Sequence, residues 1–113
     1  MDKPSDLLKQ ILDENLKLEK RFPDEIHAFT NFMKKAESGP ILSHKEKELI
    51  NVALAVAAQC EWCISLHVKY ATEAGASRDE IIKSGFQAVL MHGGPALMYL
   101  ITLLRALDDF QPE

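Results

Sequence analysis

Ser43-His44-Lys45-Glu46-Lys47-Glu48-Leu49-Ile50-Asn51-Val52-Ala53-Leu54-Ala55-Val56-Ala57-Ala58-Gln59-Cys60-Glu61-Trp62-Cys63-Ile64-Ser65-Leu66-His67 is the stretch on which the fold turns. Ser43 and Glu46 stand three apart, the spacing of a capping box, and mark a helix start. From Leu49 to Ala58, Ala, Val and Leu cover every face, which predicts a buried central helix. The chain turns near Gln59-Cys60. A second helix then runs through Leu66, Val68 and Tyr70 and stops at Gly75. The expectation is a central antiparallel helical hairpin.

The rest of the chain reads as helix too. Leu7, Leu8, Ile11, Leu12 and Leu16 form a stripe with Ser5 as its N-cap. Phe22-Pro23 breaks it, and Pro23 at a first helical position opens a helix carrying Ile26, Phe29, Phe32 and Met33. Ser38-Gly39-Pro40 ends that helix. Ser77-Arg78-Asp79-Glu80 is a second capping box, leading into Ile81, Ile82, Phe86, Val89 and Leu90. His92-Gly93-Gly94-Pro95 separates this helix from a last one, Ala96 to about Leu107. No alternating β pattern and no linker-like run occurs, so residues 1–113 read as one all-α domain. Phe22, Phe86 and Tyr99 are core candidates, and Met33, Met91 and Met98 read as packing residues. The lysines at 34, 35, 45 and 47 read as a solvated face.

Composition bounds the function. Of 113 residues, 47% are hydrophobic, which suits a globular chain. A net charge of −4 argues against a nucleic-acid binder. No apolar run approaches the roughly 20 residues that span a bilayer. Met1-Asp2-Lys3-Pro4-Ser5-Asp6 lacks a signal-peptide pattern, so a cytoplasmic location is expected, where thiols stay reduced. The last helix is apolar nearly all round, as is the central one. A chain this small has little room to enclose both, so burial against a second subunit is expected.

Cys60 and Cys63 are the only cysteines. On a helix, Cys63 and His67 are i and i+4 and share a face. The thiolate is the attacking species in dithiol chemistry, and a helix N-terminus favours it. An imidazole titrates near neutrality, so His67 can accept the Cys63 proton. Helix-terminus position points to Cys60 as the attacking sulfur, and proximity to His67 points to Cys63. Glu48 is the candidate to orient His67. About ten residues down one arm against seven down the other leaves an offset of about 5 Å, which suits a water-bridged contact and leaves a direct one open. Glu46 competes but fits better as the cap partner of Ser43.

Glu48, eleven residues, Cys60-x-x-Cys63, three residues and His67 resembles the signature of the carboxymuconolactone decarboxylase-like superfamily, in its alkylhydroperoxidase D-like branch. Gly39-Pro40-Ile41-Leu42-Ser43, Ala74-Gly75-Ala76-Ser77 and Gly93-Gly94-Pro95-Ala96 agree, and the resemblance covers about residues 20–107. It implies a helical bundle that assembles as a homotrimer or homohexamer. It also implies dithiol-dependent reduction of hydroperoxides or protein disulfides, with Glu48 and His67 relaying a proton. Trp62 departs from the branch, which carries histidine there.

Three other readings compete. Decarboxylation of γ-carboxymuconolactone belongs to superfamily members that lack the cysteine pair. A zinc site would take Cys60, Cys63 and His67 with Glu48, His44 or His92, and the cysteines could also be core residues of a non-catalytic interaction module. C-type haem attachment fails because His67 does not directly follow Cys63. No nucleotide-binding motif is present, so no bound cofactor is expected. Electrons are expected from an external dithiol, thioredoxin-like or lipoyl.

Overall fold

The computed structural model describes residues 2–110. Among them are six helices and no strand: α1 Pro4–Arg21, α2 Pro23–Ala36, α3 His44–Ala57, α4 Glu61–Glu73, α5 Arg78–His92 and α6 Gly94–Phe110. Local chemistry sets most boundaries. Ser43 Oγ accepts the Glu46 N–H at 3.0 Å while the Glu46 carboxylate accepts the Ser43 N–H at 2.8 Å. Ser77 and Glu80 repeat that box at the start of α5. Pro23 opens α2 as expected. The cap of α1 is Lys3 rather than Ser5, with Asp6 accepting the Lys3 N–H; Pro4 can enter the first turn because it has no N–H to lose.

Both arms of the hairpin end the same way. The Cys60 N–H reaches the Ala55 carbonyl and the Gln59 N–H reaches Val56. Ala76 and Gly75 repeat the pattern on Ala71 and Thr72. These are Schellman closures, which need a left-handed residue. Gly75 takes it freely at φ 92°, whereas Gln59 takes it at φ 56° with a side chain attached.

The α3–α4 hairpin is central. Helices α5 and α6 pack on it, and α1 crosses α4 and α6, while the backbone of α2 approaches only α1. Val52, Val56, Ile64, Val68, Ile81, Leu103 and Leu107 are fully buried. At the α5–α6 contact, a Cβ on Gly85 would stand 2.7 Å from Leu100 Cδ2 and 3.0 Å from Leu103 Cδ1. Side-chain contacts tie the periphery: Asp109 accepts the Ser5 N–H, and Arg78 pairs with Asp108. No helix among the described residues is long and apolar enough to cross a membrane.

Several expectations need correction. Helix α3 is not buried all round, since Leu54 is 61% exposed and Ile50 is half exposed. The same holds for Leu97, Met98, Ile101 and Leu104 of α6. Each helix meets neighbours on one side only, and a chain of this size has no further layer to cover the other. Phe22 and Phe86 are half exposed rather than core, and Met91 and Met98 are exposed rather than packed, while Tyr99 does pack against the core. Nor are all the lysines merely solvated. Lys45 pairs with Glu80 at 2.9 Å, and Lys47 Nζ donates to the carbonyls of Glu37, Ser38 and Gly39, closing the α2–α3 loop.

Two stability predictions follow from these contacts. Valine at Gly85 must displace two packed leucines, so Gly85→Val should cost about 1–3 kcal/mol, read as a lower urea midpoint at unchanged slope. The second concerns the boxes. The Glu46 carboxyl is held below its ordinary value by the Ser43 N–H and then the Ser43 hydroxyl; that of Glu80 by the Ser77 N–H and then Lys45. A carboxyl lowered in the folded state stabilises it above the ordinary value of 4.5 and loses that effect as pH falls through the lowered value. The Glu46→Ala/Glu80→Ala variant should therefore melt below the parent at pH 7, with the gap narrowing as the pH drops below about 4.5.

Candidate active site

Cys60 is the N-cap of α4, with extended φ −108° and ψ 101°, and its Sγ accepts the Cys63 N–H at 3.1 Å. The Schellman turn at Gln59 places the sulfur there, one residue after the left-handed position. Cys60 and Cys63 are joined by a disulfide, with their Cα atoms 5.2 Å apart. The spacing puts the two cysteines within disulfide reach of one another, and the structure joins them.

Of the two contacts that helix rise left open between His67 and Glu48, the structure has the direct one. Nδ1 of His67 lies 2.9 Å from Glu48 Oε1, a direct hydrogen bond across the hairpin. An ionised carboxylate can only accept, so Nδ1 donates and Nε2 is left as the ring acceptor. Glu48 is 3% exposed, where the polar first turn of α3 gives way to its apolar remainder. A buried carboxylate requires partners, and His67 provides one. Tyr70 stands edge-on to the His67 ring at 5.9 Å. Glu46 stays with Ser43, as expected.

Sequence reasoning missed Asn51. It lies one turn beyond Glu48, and its Nδ2 donates to Glu37 Oε1 at 3.0 Å and sits 3.4 Å from Glu48 Oε1. Its signal was available: a polar residue three after Glu48, inside an apolar helix.

These groups line a cleft of about 660 Å³. Cys63, His67 and Glu48 are on its wall, and Cys60 is not. Phe29 and Met33 reach in from α2, and Leu66 and Tyr70 from α4. Trp62 turns away, half exposed, into a shallow groove with Ile11 of α1. His92 is exposed at the end of α5, apart from the cleft, as a solvated helix-end histidine. Among the described residues, donor atoms of Glu37, His44 and Glu48 lie within 4.8 Å of one another. That is not the set built on the cysteines, whose sulfurs here are bonded to each other.

The chain resembles known proteins over most of its length. The carboxymuconolactone decarboxylase family profile matches residues 23–106. An uncharacterized protein from the cox locus of Paracoccus denitrificans is 35% identical over 82 residues, covering 73% of this chain and 74% of the relative. An uncharacterized protein of Haemophilus influenzae is 36% identical over 96 residues, covering 85% and 82%. A crystal structure of an apo carboxymuconolactone decarboxylase family protein from Legionella pneumophila superposes with a TM-score of 0.92 at 37% identity, covering 97% of this chain and 98% of that one. The family profile, the superposition and the Cys60-x-x-Cys63 pair agree: the chain belongs to the carboxymuconolactone decarboxylase family.

Proposed function

We propose that this protein is a thiol oxidoreductase that cycles Cys60 and Cys63 between dithiol and disulfide while reducing a hydroperoxide or a protein disulfide. One observation carries the reading: a joined cysteine pair has one sulfur residue on the same cleft as a histidine hydrogen-bonded to a buried carboxylate. Cys63 is the attacking thiol, because it shares the cleft wall with His67. Cys60, at the helix N-terminus, resolves the intermediate.

With a hydroperoxide, His67 takes the Cys63 proton and the thiolate attacks the terminal peroxide oxygen. The O–O bond breaks, the alcohol leaves with the proton from His67, and Cys63 becomes a sulfenic acid. The Cys60 thiol displaces its hydroxyl as water, giving the disulfide. The net change is peroxide plus dithiol to alcohol, water and disulfide. An external dithiol, thioredoxin-like or lipoyl, restores both thiols by exchange in the cytoplasm. Glu48 holds the ring and stabilises its charged form during the transfer. Decarboxylation has no use for two redox-active sulfurs, which supports this reading over a lyase.

The chain also acts as a homo-oligomer, trimer or hexamer, in this proposal. Leu54 of α3, Leu90 and Met91 of α5, and Met98 and Ile101 of α6 are all more than half exposed, a large apolar area for a lone chain.

Reduced protein treated with one equivalent of organic hydroperoxide should lose two thiols and two mass units, reversibly with dithiothreitol. Cys60→Ser and Cys63→Ser should each abolish the turnover. His67→Ala and Glu48→Gln should slow thiol loss by about 10²–10⁴-fold. Two persistently unreactive thiols in the parent would sink the proposal. Separately, light scattering should return a trimer or hexamer, and Leu54→Glu should dissociate it; a parent that is monomeric at micromolar concentration contradicts the assembly.

A further inference from the structure

We propose that the cleft is a charge filter, accepting uncharged oxidants with apolar bodies and turning away carboxylated ones, with Glu37 and Glu73 as specificity-determining residues. This deepens the thiol oxidoreductase reading and rests on it. The cleft wall is apolar where a substrate body would lie, against Phe29, Met33, Leu66 and Tyr70. No lysine or arginine is on that wall, whereas Glu37, Glu48 and Glu73 are. An entering carboxylate would lose hydration without gaining a cationic partner, and would approach charges of its own sign.

The neighbouring cations do not reverse this. Lys69 and Glu73 offset one another at 3.1 Å, and Lys47, off the wall, points its ammonium at the three carbonyls of the α2–α3 loop, so the wall keeps the net negative charge of Glu37 and Glu48. Two histidines lie on the wall. His67 Nδ1 is taken by Glu48, and the His44 ring lies within 4.8 Å of both the Glu37 and the Glu48 carboxylates, which balance any charge it carries. Glu37 and Glu73 are exposed and have no part in the proton relay, so the acidic wall they build is a feature of selection rather than of chemistry. The same filter turns away a carboxylated lactone, which separates this site further from the lyase reading.

The test compares cumene hydroperoxide with its para-carboxylate, two oxidants that share a reacting group and differ in one distant charge. Pre-reduced protein is mixed with each, and the rate of loss of the two thiols is normalised to the rate of the same oxidant with free dithiothreitol. The uncharged oxidant should react at least about tenfold faster. The ratio should fall several-fold toward unity in Glu37→Gln/Glu73→Gln. In the parent, added salt should speed the carboxylated oxidant and leave the other unchanged, a readout that does not depend on the variant. Equal normalised rates, or a preference for the carboxylate, overturn the filter while leaving the thiol chemistry standing. Thiols inert to both oxidants overturn the thiol reading and the filter together.

Discussion

The buried Glu48 carboxylate is the constraint around which this structure is arranged. A charged group buried where helices pack is tolerated only where partners replace its lost water. Here a single oxygen, Oε1, receives the His67 ring at 2.9 Å with Asn51 close by. That requirement sets the register of α3 against α4, because a rotation of either helix would leave the charge unpaired. The Schellman turn at Gln59 then brings Cys60 to the start of α4, one turn before Cys63. The positions of the sulfur pair, the base and the carboxylate are thus consequences of one packed hairpin.

The two cysteines are chemically unequal although they are three residues apart. Cys60 is the N-cap of α4, with its sulfur accepting the Cys63 N–H. Cys63 has turned onto the cleft wall beside His67. A helical turn separates the two environments, one shaped by the helix dipole and the other by a side-chain base. That inequality suits a pair in which one sulfur attacks and the other resolves.

Other polar contacts organise the opening of the cleft. Lys47 gathers the carbonyls at the end of α2, and Asn51 holds the Glu37 side chain. Helix α2, whose backbone approaches only α1, is thereby anchored at its C-terminal end, and Phe29 and Met33 complete the apolar wall. The exposed apolar residues of α3, α5 and α6 lie outside this arrangement, on the faces assigned to self-association in the proposed function.

The sequence by itself determined the helices and their order. Capping boxes at Ser43 and Ser77, Pro23 at a helix start and Gly75 at a helix end act over three or four residues, so local spacing suffices to read them. It also grouped Cys60, Cys63 and His67 as neighbours, because they share one helix, where positions are set by its period. Tertiary structure decided what depends on the angle and depth at which helices meet. Linear rise left Glu48 about 5 Å from His67, whereas the packed side chains touch. The role of Asn51, the turning away of Trp62 and the exposure of Leu54 and Met98 were decided there too. Each depends on which face of a helix a neighbour covers, and an apolar pattern records that a face can be buried without recording what buries it.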